Sequence, residues 1–353
     1  MNTIMIKLDK DEIRKEDLET AATVLKNGGL VAFPTETVYG LGANALDAQA
    51  SSKIYKAKGR PSDNPLIVHI AKIEDMESLA KDIPDTAYRL AQVFWPGPLT
   101  IIMKKKDCVP YGTTGGLETV GIRLPANKIA RDLILHSGVF IAAPSANVSG
   151  KPSPTKAEHV QKDLSGRVDL ILDGGDATLG LESTIVDLSG DLPMILRPGC
   201  ITKTMLENVI GPIEYDPVIF SEEPSGVIKP KAPGMKYRHY APEGTLVIYS
   251  GSMDKVTEEI NRQAKEKIEE GISVGIIATK ETKDYYKYGI IKAIGTRKDE
   301  ASIAAGLYRI LREFDELHTE YIYSESFSDN ELGQAIMNRL LKAAGYRIIK
   351  LEE

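Results

Sequence analysis

Short apolar runs punctuate the first part of the chain, at Leu30–Phe33, Leu66–Ile70, Leu99–Met103, Val120–Leu124, Val139–Ala143, Leu170–Leu172, Thr184–Asp187 and Met194–Arg197. Runs of this length, closed off by Gly, Pro or polar clusters, read as buried strands. Between them the period lengthens to that of a helix over Lys15–Asn27, which stops at Gly28-Gly29, and over Ala48–Lys58, with Asp47 as its N-cap. The turn Ser189-Gly190-Asp191-Leu192-Pro193 makes a hairpin of the last two strands. So many strands with so few helices predict an α/β fold on a large mixed twisted sheet rather than a βαβ repeat.

The pattern breaks over residues 212–243, where Pro212, Pro217, Pro224, Pro230, Pro233 and Pro242 occur with Gly226 and Gly234. Neither period is sustained there, so the segment reads as a semi-rigid linker. It carries Lys236-Tyr237-Arg238-His239-Tyr240, more chemistry than a passive tether needs. From Thr245 the alternation resumes. Strands are expected at Thr245–Tyr249, Val274–Ala278, Ile290–Ile294, Tyr321–Ser324 and Arg347–Leu351, with helices at Lys255–Glu269, Ala301–Leu317 and Leu332–Ala344. This is a small doubly wound, Rossmann-like unit, without the GxGxxG that would point to a nucleotide. The expected organisation is a first domain over 1–211, a linker over 212–243 and a second domain over 244–353.

A length of 353 residues agrees with more than one core. The net charge of −6 speaks against a broadly basic nucleic-acid-binding surface but leaves room for a local basic groove. Two cysteines, Cys108 and Cys200, without a CxxC, exclude a zinc ribbon and a disulfide scaffold and fit a reducing compartment. No signal-peptide core opens the chain, and no run approaches the roughly 18 apolar residues of a membrane span. A cytoplasmic protein with no membrane partner is expected.

Two stretches carry most of the candidate chemistry. Lys56-Ala57-Lys58-Gly59-Arg60-Pro61 sets three cations at a helix C-terminus, where they complement the helix dipole and could equally hold phosphates. The polar run Ser62-Asp63-Asn64-Pro65 that follows leaves the two uses evenly balanced. Pro144-Ser145-Ala146-Asn147 follows a buried strand, the usual place for ligands in α/β sheets. Its continuation to Lys151 only imitates a phosphate loop, because Pro152 replaces the final hydroxyl; an ordinary polar turn is the plainer alternative.

Thr35-Glu36-Thr37 offers two hydroxyls on one side of the chain, or simply a turn. His69 lies inside an apolar strand with no spaced partner for a metal, so a buried histidine with one hydrogen bond is the ordinary reading. Arg123 and Arg197 interrupt or end apolar strands. A buried guanidinium needs a carboxylate from the protein or from a ligand. Glu182-Ser183-Thr184 either binds a ligand or starts a strand. No Ser/His/Asp triad, Cys/His pair or close carboxylate pair stands out. That balance favours a reaction whose substrates bring their own nucleophile, with the protein supplying position and charge.

In their order these motifs resemble the threonylcarbamoyl-AMP synthase (YrdC-type) family. The matching pieces are Pro34–Leu41, Lys56–Pro61, Asp63–Leu66, Trp95–Thr100, Arg123–Pro125, Ala143–Gly150, Glu182–Asp187 and Arg197–Gly199. Pro233–Pro242 resembles the linker of the family's longer, two-domain form. The resemblance implies an enzyme that joins L-threonine, bicarbonate or CO₂, and ATP into threonylcarbamoyl-AMP and pyrophosphate. Mg²⁺ would arrive with the ATP, and no organic cofactor is implied.

The product would pass to the transferase machinery that makes threonylcarbamoyladenosine in tRNA, with tRNA itself a candidate contact. By the same resemblance Lys58, Arg60, Ser145 and Asn147 are the catalytic set. ATP would meet Lys56, Lys58, Arg60, Asn64, Thr119, Ser145, Asn147, Ser153, Arg197 and Tyr237. L-threonine would meet Thr37, His69, Arg123, Ala143 and Ser183, its carboxylate answering Arg123. The linker around Tyr237 could close as a lid. The competing reading is a double-stranded RNA, tRNA or ribosome-assembly module with Lys56, Lys58, Arg60, Arg123 and Arg197 on a basic face, which the acidic total charge opposes. An ATP-dependent ligase forming another acyl-adenylate differs only in its amino-acid pocket, and serine stays open beside threonine.

Overall fold

The computed structural model describes residues 2–9, 13–220, 230–233, 239–328 and 330–352. The chain divides into two units, one of Met1–Ser149 with Ser153–Tyr237, the other of Arg238–Glu353 with Gly150–Pro152.

The first unit contains β1 (Ile4–Lys7), β2 (Val31–Phe33), β3 (Gly40–Asn44), β4 (Ile67–His69), β5 (Leu99–Lys104), β6 (Thr119–Arg123), β7 (Ile141–Ala142), β8 (Leu170–Asp173), β9 (Thr184–Asp187), β10 (Met194–Arg197) and β11 (Glu214–Tyr215). They form one sheet in the order β1-β8-β2-β3-β7-β4-β6-β5-β9-β10-β11. Parallel pairs such as β4 with β6 and β5 with β9 alternate with antiparallel ones such as β5 with β6, so the sheet is mixed as the sequence predicts. The hairpin of β9 and β10 is also present, with Met194 opposite Asp187.

The helix Ala48–Lys58 has the predicted limits. The Asp47 carboxylate accepts from the Gln49 and Ala50 N–H groups, and Gly59 closes the helix in the left-handed region at φ 63°. Helices are more numerous than the sequence reading expects: Asp85–Phe94, Lys128–Ser137, Ala157–Leu164 and Lys203–Ile210 all lie in this unit. Asp85–Phe94 buries Ala87, Leu90 and Ala91 on one face but has no capping side chain, which hides its start. Strand β3 is also unexpected, since its sequence Gly-Leu-Gly-Ala-Asn has low strand propensity. A Cβ on Gly42 would stand 2.7 Å from Ile141 and 2.8 Å from Phe33, so close packing of the sheet demands glycine there.

The second unit holds β12 (Thr245–Ser250), β13 (Val274–Ala278), β14 (Ile290–Ala293), β15 (Tyr321–Glu325) and β16 (Ile348–Lys350). The order is β14-β13-β15-β12-β16, with every pair parallel. The helix Met253–Glu269 packs Val256, Ile260 and Ala264 on Tyr249, Val274, Ile276 and Tyr323 of one sheet face. Helices Glu300–Glu316 and Glu331–Ala344 pack against each other, the latter also against β12. This is the expected small Rossmann-like arrangement.

Candidate active site

Strand pairing gathers the candidate residues of the first unit. His69 ends β4 and Arg123 ends β6, and the two are register partners. β7 runs antiparallel beside β4, and the Ala143 N–H that follows it donates to the Ile67 carbonyl. The next loop is laced to the chain entering β3: Leu41 N–H donates to Pro144 O, and Ala146 N–H to Tyr39 O.

Lys58 is 1% exposed, and its Nζ donates to the carbonyls of Ser145 and Asn147, both at 2.5 Å. Ser145 Oγ donates to Asn147 Oδ1 at 2.6 Å. The Ser149 N–H closes the loop onto the Lys58 carbonyl. The helix C-terminus and the polar loop, far apart in sequence, therefore form one structure around a buried cation. Arg60 continues it, donating to the Asn64 and Pro65 carbonyls at 3.3 and 3.1 Å. Lys56 does not join. Two residues along a helix is about 200° of turn, and the exposed Lys56 instead lines a groove of about 750 Å³ with Lys53 and Arg167. It is thereby set apart from the Lys58 cluster.

Around Arg123 the structure supplies a carboxylate from within the chain. Its Nη2 donates to Glu36 Oε1 at 2.6 Å, its Nη1 to Thr37 Oγ1 at 2.9 Å and its Nε to the Gly97 carbonyl at 3.3 Å. Of the two sources the sequence left open for this arginine's carboxylate, the protein supplies one, Glu36. Thr35 and Thr37 do face the same side, with their hydroxyls 2.8 Å apart, but in a turn where Thr35 Oγ1 also bonds Val38. Burial pushes the Glu36 carboxyl up, yet the Arg123 charge and hydrogen bond more than offset it, so the net shift is downward and Glu36 is ionised. His69 is buried edge-on to Phe33, its Nδ1 3.2 Å from the Ile67 carbonyl. Burial, then the Arg123 charge, lower its pKa to about 3, so the imidazole is neutral at physiological pH.

Ser183 lies at the start of β9. Its Oγ is 2.8 Å from Thr100 Oγ1 and accepts from Arg197 Nη2 at 3.2 Å, while Arg197 Nε donates to the Ser183 carbonyl at 3.0 Å. Ser153 Oγ donates to Glu182 at 2.6 Å. The Leu179 N–H donates to the Glu36 carbonyl, tying the segment before Ser183 to the Arg123 pocket. Thr119 stands at the opposite end of β6 from Arg123 and lines a cleft of about 420 Å³ with Asp187 and Lys231. Between them Gly121 shares the same strand face. A Cβ there would lie 3.3 Å from Thr100, and its absence keeps the sheet face low. Tyr237 lies outside the described residues.

Sequence reasoning missed Glu36 as the partner of Arg123, Glu182 as the partner of Ser153, and Thr100 beside Ser183. A signal existed for Glu36: an acid at the end of a strand, in a chain whose buried arginine requires one.

The Sua5/YciO/YrdC family model, described as "Telomere recombination", matches residues 23–199. The model for the threonylcarbamoyl-AMP synthase C-terminal domain matches residues 201–345. The chain belongs to this family. A protein of Bacillus subtilis (strain 168) named threonylcarbamoyl-AMP synthase is 50% identical over 96% of this chain and 97% of its own length. One of Pyrococcus abyssi with the same name is 47% identical over 99% of this chain and 100% of its own. The crystal structure of P. abyssi Sua5 complexed with L-threonine superposes with a TM-score of 0.93 at 46% identity, covering 99% of this chain and 100% of that one. Family membership therefore extends through both units.

Proposed function

We infer that this protein is an L-threonylcarbamoyladenylate synthase, converting L-threonine, bicarbonate or CO₂, and ATP into threonylcarbamoyl-AMP and pyrophosphate. The observation that carries the reading is the meeting of two dissimilar sites on one sheet. One is a cluster of Arg123, Thr37 and neutral His69, groups suited to a small hydroxylated amino acid. The other is a loop-and-helix cradle built on Lys58, Arg60, Ser145 and Asn147. Full-length relatives carrying the synthase name support it.

In this reaction the threonine amine traps CO₂ as a carbamate, and a carbamate oxygen attacks the α-phosphorus of ATP. The substrates bring the nucleophile, so the protein's task is placement and charge. Arg123 takes the α-carboxylate. In the tautomer with its proton on Nδ1, donating to the Ile67 carbonyl, His69 presents Nε2 as an acceptor for the threonine hydroxyl. Ser183 borders the amino acid, and Ala143 contributes its place beside β4. Lys58 and Arg60 offset charge growing on the departing pyrophosphate, with Ser145 and Asn147 shaping the loop. Asn64, Thr119, Ser153 and Arg197 border the nucleotide.

Mg²⁺ enters as part of the MgATP substrate. Among the described residues no group of three or more His, Cys, Asp and Glu side chains could hold a resident ion. The product is handed to the transferase machinery that modifies tRNA, and we place the protein in the cytoplasm. Among the described residues no helix is long and apolar enough to cross a membrane.

Pyrophosphate release from ATP, Mg²⁺ and bicarbonate, measured with and without L-threonine, tests the reading. Release should depend on threonine and fall at least about 100-fold in Lys58→Met, which keeps the stem but removes the charge. Folded wild-type protein that releases no pyrophosphate with any amino acid would sink it.

A further inference from the structure

Glu36 is a buried carboxylate to which this reaction, as just described, gives no task. Its side chain is 10% exposed, and one oxygen is taken by Arg123. The other, Oε2, is buried with no hydrogen-bond partner among the described residues. The backbone N–H groups of Glu36 itself and of Ala126 help hold the group ionised, but neither is a hydrogen-bond partner of that oxygen. A buried ionised carboxylate oxygen without a full hydrogen bond from the protein leaves part of its desolvation cost uncompensated. Arg123 shows the complementary incompleteness. Of a guanidinium's five N–H groups, those toward Gly97, Thr37 and Glu36 are engaged, which leaves one on each terminal nitrogen.

The pair thus has no net charge, yet it offers two donors next to one charged acceptor, among residues already placed around the amino acid. That is the complement of a zwitterion. A monoanion would suit the arginine but would be repelled by the glutamate.

We propose that Glu36 Oε2 receives the α-ammonium of the amino-acid substrate while Arg123 receives its α-carboxylate, so that the ion pair is a receptor for zwitterionic amino acids. The proposal rests on the synthase reading above. A carboxyl held below its usual range is a weak base, so Glu36 holds and orients the ammonium and does not take its proton. The ammonium passes one proton to bicarbonate, which breaks down to CO₂ and water. The neutral amine then adds to CO₂ and releases a second proton to solvent, and the N–H that remains on the carbamate still donates to the same oxygen.

Calorimetric titration with L-threonine and with (R)-3-hydroxybutyrate, the same molecule without its amino group, tests this. Wild type should bind threonine at least about 100-fold more tightly than the deaminated acid. Glu36→Gln should weaken threonine about 10- to 100-fold, the span of a lost charge-assisted hydrogen bond, and leave the deaminated acid unchanged or tighter. Equal losses for both ligands would mean that Glu36 only orients Arg123, and would overturn the proposal. So would unchanged threonine binding, or a wild type that does not distinguish the two ligands, a comparison that needs no variant to fold. Wild type that binds neither ligand and releases no pyrophosphate fails the synthase reading itself, and the proposal with it.

Discussion

Each unit buries a glutamate paired with an arginine, and the two carboxylates are completed differently. In the second unit Glu325, 1% exposed, ends β15. Its Oε1 accepts from the Thr282 hydroxyl and from Tyr286 Oη at 2.9 Å, and its Oε2 from Arg297 Nη2 at 2.6 Å. Both oxygens are satisfied by the protein. In the first unit Glu36 has one oxygen on Arg123 and one without a partner. A carboxylate with both oxygens met at the carboxyl edge of a parallel sheet, where such folds often bind ligands, acts as structure, even though Arg297 Nε is buried without a hydrogen bond among the described residues. An unsaturated pair beside Thr37 and His69 is prepared for a ligand. Burial of charge therefore says little about function until each lone pair is accounted for.

The largest effect expected from breaking this contrast is at Arg123. Arg123→Ala leaves Glu36 buried without its counter-ion, which costs about 3–5 kcal/mol of stability, and it removes the carboxylate contact of the substrate. Urea unfolding and pyrophosphate release should both collapse together. Stability retained with activity lost would mean that Glu36 finds another partner.

Glu325→Gln should give the next effect, and a one-sided one. It removes the charge that Arg297 and the two hydroxyls surround, at about 1–3 kcal/mol. Arg297 is one-third exposed, so water offsets part of the loss. Threonine affinity should stay within twofold of wild type. A threonine defect matching that of Glu36→Gln would erase the distinction between the pairs.

Much of this was legible in the sequence, for physical reasons that differ by element. The apolar runs Ile67–His69 and Val274–Ala278 read directly as strands because they are buried on both faces. Asp47 and Gly59 marked a helix because their conformations are residue-specific. β3 was not legible, because the glycine its packing requires at Gly42 is what low strand propensity looks like. The site shows the same division. Lys58 and Asn147 could be nominated as chemistry, but not as contacts of one another, since their meeting depends on how β7 and β3 are threaded. Lys56 stands apart from Lys58 because helical phase, which charge clustering in sequence ignores, turns it to another face. Arg123 announced its need for a carboxylate, while Glu36 looked like part of a polar turn.

Acid separates the two pairs most finely, through His69. An unfolded imidazole takes its proton near pH 6.5, whereas in the fold burial and then Arg123 hold the proton off until about pH 3. The unfolded state binds more protons throughout that window, so stability falls as the pH drops from 6.5 to 3, by at most about 1.4 kcal/mol per pH unit. Glu36 enters later: its folded pKa lies below 4.5, so its contribution is present above that value and is lost as the pH falls through the folded one. Between pH 6.5 and 4.5 the two effects are therefore separable. His69→Gln should flatten the slope there, while Glu325→Gln should not. The single tryptophan, Trp95, is buried in the first unit and donates to the Leu99 carbonyl, so its fluorescence during urea unfolding follows that unit. Parallel slopes for wild type and His69→Gln would mean that His69 is not held neutral by its surroundings. The pocket would then lose the neutral acceptor that sets it apart from the saturated carboxylate of the second unit.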